Sequence, residues 1–260
     1  MKKTIVCCLL LGFAASTLKA QINESDTIKL QLRASFTGSY QQGNVALMAL
    51  RGRVDGSYWF AKNWVFKSQN SSLYQSFYAK KADNDVFSRN YLYLKPYHRV
   101  YPFAIGYVSS NFRRKITLRY FAGVGASVQL LKKAKHVVKL SANAVYESTK
   151  FGDIVYNDAR YNGDNRINLW RSTLYVGGWS YLMDRRIRMY YDAFGQIAWR
   201  DRHNYRTQAD LGFDCPIWKG LSLNALFTYT HEQVVVQKIK PDDQLVTFGL
   251  SYTKRLKRKQ

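Results

Sequence analysis

Apolar and polar residues alternate one for one along most of this chain, in runs of about ten residues that end at turns. The run Arg186 to Arg200, RIRMYYDAFGQIAWR, shows the pattern. Ile187, Met189, Tyr191, Ala193, Gly195, Ile197 and Trp199 occupy one parity, and Arg186, Arg188, Asp192, Gln196 and Arg200 lie on the other. A strand sends successive side chains to opposite faces, so period two describes a sheet with one greasy and one wet side. No second element is offered to cover the greasy side of an open sheet.

Twelve such runs can be drawn. They are Ile28 to Gln41, Val45 to Phe60, Trp64 to Tyr78, Phe87 to Tyr97, Tyr101 to Phe112 and Ile116 to Leu131, then His136 to Thr149, Arg166 to Leu182, Arg186 to Arg200, Tyr205 to Ile217, Leu221 to Val235 and Leu245 to Leu256. An even count suits a single-chain bacterial outer-membrane barrel. Ala61 to Asn63, His98 to Val100, Lys132 to Lys135, Met183 to Arg185 and Trp218 to Gly220 form tight turns at one end. At the other end Ala79 to Val86, Lys150 to Asn165 and Val236 to Gln244 are longer and polar, while Gln42 to Asn44, Arg113 to Lys115 and Asp201 to Asn204 are short. Short periplasmic turns and longer outer loops give that asymmetry, with both mature termini in the periplasm.

The first twenty residues place Lys2 and Lys3 before the apolar run Ile5 to Ala15 and end on Leu18-Lys19-Ala20. This is the layout of a secretory signal peptide. Its removal takes away three lysines and no acids, so the net charge falls from +23 to +20. Cys7 and Cys8 go with it, leaving Cys215 as the one thiol and excluding an internal disulfide. No apolar stretch reaches the length of about 18 residues that a transmembrane helix needs. Strand-built spans escape that test, because their apolar residues are interleaved with polar ones. The four prolines fall at strand ends or in loops, and no linker composition divides the chain. The expected layout is a signal peptide over 1–20, one barrel domain over 21–256 and a basic tail over 257–260.

Orientation of the two faces decides between a soluble and a membrane barrel, since a membrane barrel turns its apolar face outward. Export, long strands and tight turns favour the second: an all-β, single closed antiparallel transmembrane β-barrel of about twelve strands with up-and-down topology, a soluble sandwich or propeller being the alternative. Trp59, Trp64, Tyr97, Tyr101, Trp179, Trp199 and Trp218 sit where strands meet turns and are expected in interfacial girdles, although aromatics are also good strand formers. The wet parity would send Lys29, Arg33, Arg51, Arg53, Asp55, Arg119, Lys139, Glu147, Arg186, Arg188, Asp192, Arg200, Arg206, Asp210 and Asp214 into the lumen. There they either salt-bridge into a plug or line a path that favours small anions.

Signals for chemistry are weak. A rim-located lipid hydrolase would need a Ser or Thr beside a histidine, and only His231 lies near an outer strand end, with no His-x-Ser motif. The loop acids lack a calcium-loop pattern, Gly123-x-Gly125 lies mid-strand with no helix after it, and no cofactor or metal is expected. The positive charge is scattered rather than gathered on a stripe, so nucleic acid is not the expected partner. Arg113-Arg114-Lys115, Lys132-Lys133-Lys135 and the terminal basic run would meet outer-membrane lipids and lipopolysaccharide phosphates. The loop Lys150 to Asn165, carrying Tyr156 and Tyr161, leaves a surface receptor open as a further possibility.

The chain resembles the salt-induced outer-membrane protein family, a domain-of-unknown-function family, from about Leu32 to Tyr252. The resemblance rests on Gln42-Gly43-Asn44, on Leu118 to Gly125 (LRYFAGVG), on Glu147 and on Asp201 to Arg206 (DRHNYR). It continues through Trp218 to Leu223, Asp243-Gln244-Leu245 and Thr247 to Tyr252 (TFGLSY). It implies an outer-membrane barrel that the barrel assembly machinery inserts, and no established activity. Outer-membrane strands usually finish on an aromatic residue, and Lys254 to Gln260 depart from that pattern by adding a basic tail.

Overall fold

The computed structural model describes residues 28–42 and 46–256. The expected leader over 1–20 and the tail over 257–260 lie outside the described residues. Twelve strands follow one another: β1 (Leu30–Gln41), β2 (Leu47–Ala61), β3 (Trp64–Phe77), β4 (Lys80–Leu94), β5 (Val100–Asn111), β6 (Ile116–Lys133), β7 (His136–Phe151), β8 (Arg166–Leu182), β9 (Ile187–Ala198), β10 (Tyr205–Trp218), β11 (Leu221–Glu232) and β12 (Asp242–Leu256). Each pairs antiparallel with its neighbours in the chain, and β1 pairs with β12 from Leu30↔Leu256 to Gly38↔Phe248, closing the barrel. Closure leaves no strand edge whose N–H and C=O groups would need water. At the closing seam a Cβ on Gly249 would collide with the Phe36 carbonyl, so the approach of β12 to β1 requires glycine there.

The two parities separate as period two demands. Val124, Phe36, Phe248 and Leu174 project outward at 67, 62, 62 and 59% exposure, whereas Asp214, Arg188 and Glu147 are buried inside. A barrel greasy outside and charged inside has the surface that hydrocarbon, not water, covers at least cost. Among the described residues no helix is long and apolar enough to cross a membrane.

One expected loop is strand. β4 begins at Lys80, immediately after a two-residue turn at Tyr78 (φ 47°) and Ala79 (φ 60°), so the stretch expected to be the loop Ala79 to Val86 lies almost wholly within the sheet. The hairpin carries none of the Gly or Asn that usually marks such a turn. Its second strand has Asp83 and Asp85 inside and Asn84 outside, so no alternation betrays it.

The β7–β8 and β11–β12 loops are joined. Tyr156 bridges to Val236, Gln237 N–H donates to Val155 C=O at 2.9 Å, and the Asn157 side chain donates to Gln233 C=O at 2.8 Å. Tyr156, Val234 and Val236 then pack on Ile116, Phe151 and Ile167 at the inner rim. The two longest loops thus form one body over one sector of the mouth.

Candidate functional site

The lumen is filled at the turn end and open at the loop end. At the turn end Trp59, Val65, Tyr93, Tyr101, Phe103 and Ile105 make an apolar cluster across β2 to β5, extended by Phe121 and Val145. Val137, Trp179, Tyr181, Tyr190 and Leu226 make a second cluster on the other side. The buried Gln129 amide donates to Pro96 C=O at 2.8 Å and to His98 C=O at 3.0 Å, which ties the β4–β5 turn to this floor. Between the clusters Asp214 accepts from Arg33 Nη2 at 2.9 Å, from Arg188, from Asn224 Nδ2 at 2.7 Å and from Ser251 Oγ at 3.2 Å.

Above the floor lies a cavity of about 1570 Å³ counted with its open mouth. Eight cations line it (Arg51, Lys67, Arg89, Arg113, Arg114, Arg119, Lys139 and Arg206) against three carboxylates, Asp85, Glu232 and Asp243. Asp83, Asp192 and Glu147 pair with three of these cations, Arg113, Arg89 and Arg206, so the surplus that remains is positive but small. One side is held by ion pairs. Arg119 forks onto Glu232 at 2.5 and 3.0 Å, and Glu147 receives Arg171 at 3.2 Å together with Arg206. The other side is aromatic: Phe87, Tyr107 and Phe121 stack in series with centroids 6.1 and 4.5 Å apart. The Arg89 guanidinium lies 5.4 to 5.9 Å from the Phe87, Tyr107 and Phe194 centroids, a cation–π arrangement. Arg51 donates to Thr228 Oγ1 at 3.0 Å, and among the described residues it has no ion pair and its Nε has no partner.

The outer loops carry their own brace. Arg160 pairs with Asp158 at 2.5 Å and with Asp201 at 3.1 Å, and the Tyr161 hydroxyl donates to Asp201 at 2.7 Å. The hydrogen bond from Arg160 holds the Asp158 carboxyl below its ordinary value. For Asp201 burial pushes upward, but the Tyr161 hydroxyl, the His203 N–H and Arg160 outweigh it and hold the carboxyl low. Burial near Asp164 pushes the Tyr156 phenol up to about 12.

A family model described as a protein of unknown function, DUF481, matches residues 34–253. The chain belongs to this family. Among curated proteins none matches the sequence. Among solved structures, the NanC porin superposes with a TM-score of 0.50 at 13% identity, covering 86% of this chain and 98% of that one. The translocator domain of the autotransporter NalP from Neisseria meningitidis gives 0.44 at 13% identity over 87% and 89% of the two chains. An outer membrane channel from Pseudomonas putida F1 gives 0.44 at 13% identity over 91% and 100%. The likeness to the NanC porin is one of fold.

Most of the lumen candidates come together inside this DUF481 barrel. Arg33, Asp55, Arg119, Lys139, Glu147, Arg188, Arg206 and Asp214 are buried on the inner face, and Arg51, Arg53, Asp192 and Asp210 are half-buried there. Arg186 and Arg200 are not lumenal: they have the inward parity but fall just beyond the ends of β9, where they are exposed. The girdle expectation needs a larger correction. Trp64, Tyr97, Trp199 and Trp218 are exposed at strand ends, but Trp59, Tyr101 and Trp179 are 8, 0 and 9% exposed and point inward. Each shares a parity with buried residues, Trp59 with Asp55 and Ser57, Tyr101 with Phe103, Trp179 with Tyr181, so they build the floor instead.

Sequence reasoning also missed Arg89 and Arg171; a charged residue well inside each expected strand, Phe87 to Tyr97 and Arg166 to Leu182, was the available signal. It placed Arg114 among headgroups, yet Arg114 turns into the mouth and donates to Thr230 Oγ1 and Pro241 C=O, both at 3.1 Å. His231 bonds Asp242 Oδ1 at 2.9 Å and Gln233 Oε1 at 3.3 Å through its two ring nitrogens and stacks on Tyr205, so no hydroxyl nucleophile is engaged. Among the described residues no group of three His, Cys, Asp or Glu side chains is placed to hold a metal.

Proposed function

We propose that this is an outer-membrane barrel, exported by residues 1–20, whose lumen is a narrow, anion-leaning path constricted on the periplasmic side by its aromatic floor. In this reading both mature termini are periplasmic, the loop end faces outward, and the family is that of the salt-induced outer-membrane proteins. The barrel assembly machinery inserts the chain, and exposed strand-end bases meet lipopolysaccharide phosphates. The supporting observation is the open cavity above an apolar floor, where eight cations outnumber the three carboxylates that line it and the three, Asp83, Asp192 and Glu147, that pair with its arginines. No reaction or cofactor is assigned, because His231 has no nucleophile partner. A receptor role for 150–165 has little support, since that loop is spent on clamping the β11–β12 loop.

Planar bilayers with a KCl gradient test the reading. Small unitary conductance is expected, with a reversal potential on the chloride side that Arg51→Gln and Arg89→Gln diminish. Cation preference, or an anion preference indifferent to both substitutions, would overturn it.

A further inference from the structure

On the outer face β3 and β4 differ from the other strands in presenting polar residues in unbroken succession at mid-strand. β6 presents Leu118, Tyr120, Ala122, Val124, Ala126 and Val128 outward, and β11 presents Leu223, Ala225 and Phe227. β3 instead presents Ser68, Asn70 and Ser72 in succession, and β4 presents Ser88 and Asn90. Their chain neighbours Lys67, Gln69, Ser71 and Arg89 are buried inside, which fixes these five as outward. Register sets Asn70 opposite Ser88 and Ser68 opposite Asn90, near the middle of both strands and so near the middle of a bilayer.

Local bonding satisfies the patch only in part. Asn70 Nδ2 donates to Ser68 Oγ at 2.9 Å and to Val54 C=O at 3.4 Å, and Asn90 Nδ2 donates to Ser88 Oγ at 3.0 Å. Among the described residues both carboxamide oxygens accept nothing. Hydrocarbon offers them no donor, so polar groups at this depth persist where protein covers them. Gly52 on β2 and Gly106 on β5 flank the row, and a Cβ at either would meet nothing within 4 Å. The wall is dented on both sides of the polar row, which lets another backbone come close.

We propose that this β3–β4 seam is where a second copy of the chain packs; the inference rests on the membrane-spanning reading above. Two copies inserted in the same direction can pair about a two-fold axis along the membrane normal, which sets one seam against the other. Each seam then brings both the unsatisfied carboxamide oxygens and the spare N–H and O–H donors. The patch is its own complement, so no differently shaped partner is needed.

The test uses the mature protein, purified and reconstituted into phosphatidylcholine vesicles. Asn70→Cys in a Cys215→Ser background should form disulfide-linked dimers under mild oxidant, while Leu174→Cys, on the β8 outer face, should not. Asn70→Leu with Asn90→Leu, an apolar change that hydrocarbon tolerates, should weaken association about ten-fold by single-molecule photobleaching. A wild-type protein that stays monomeric across the accessible range, or equal cross-linking at Asn70→Cys and Leu174→Cys, would overturn the proposal. Quenching of Trp199 by brominated lipid in the same vesicles separates the two readings. Quenched but monomeric protein sinks the seam alone, and unquenched protein sinks the membrane reading beneath it.

Discussion

Asp214→Asn should be among the most damaging single-atom changes this barrel can receive. The carboxylate is fully buried and collects donors from four other strands: Arg33 on β1, Arg188 on β9, Asn224 on β11 and Ser251 on β12. It therefore ties β9 through β12 to β1 across the closing seam. The substitution keeps shape and one acceptor oxygen but removes the charge, leaving two guanidinium groups facing each other in the floor. Arg33 Nε and Arg188 Nε and Nη1 already lack partners, and the Tyr190 ring, 4.9 and 5.1 Å from the two guanidinium groups, supplies no compensating carboxylate. Removing one member of a buried ion pair costs about 3–5 kcal/mol, which is roughly two to three and a half decades in the unfolding equilibrium. Guanidinium unfolding of the refolded barrel, followed by tryptophan fluorescence and by the heat-modifiable gel band, reads this directly. Combining Asp214→Leu with Arg33→Met and Arg188→Met should recover most of the loss, because no buried charge is then left alone. A single-mutant shift below about 1 kcal/mol would refute the claim that this triad is desolvated and mutually dependent.

Gly249→Ala should sharply lower the yield of heat-modifiable folded protein because its Cβ meets the Phe36 carbonyl, while Gly52→Ala, whose Cβ meets nothing, should fold normally; equal yields would contradict the close approach at the seam. Tyr93→Ala with Tyr101→Ala should raise unitary conductance several-fold while keeping anion preference, since both rings belong to the floor; unchanged conductance would show that the obstruction lies elsewhere. The Asp158 and Asp201 carboxyls are held below their ordinary 3.8, so their contribution to the loop brace is complete above that value and is lost as pH falls through the lower folded values. Protease cleavage within 152–165 should therefore rise only below pH 3.8, and cleavage that already rises at mildly acidic pH would contradict the brace.

Period two made the strands legible because the outer and inner faces meet opposite solvents, and for most strands the parity also tells which face is which. Ile187 to Ala198 is the plainest case: Arg188, Asp192 and Gln196 line the interior while Met189 and Ile197 face out. β4 is illegible at its start because Asp83, Asn84 and Asp85 put polar residues on both faces. Trp59, Tyr101 and Trp179 misled because an aromatic ring at a strand end suits an interfacial girdle and a lumenal floor equally, and only closure of the barrel shows the inner wall that needs filling. Arg186 and Arg200 show that parity places a side chain only while the strand lasts. The clamp between the two long loops has no periodic signal, since it depends on Tyr156 and Val236 meeting across 80 residues of sequence.

The central claim is that the greasy face meets lipid and the charged face encloses a vestibule above an aromatic floor. The six tryptophans divide along that line: Trp170 and Trp199 stack on the outer face at 5.4 Å, while Trp59 and Trp179 are buried in the lumen. Single-tryptophan variants in bilayers of brominated phosphatidylcholine should show strong quenching at Trp170 and Trp199 and little at Trp59 and Trp179. Protected Trp170 and Trp199 with quenched Trp59 and Trp179 would turn the barrel inside out and contradict the account.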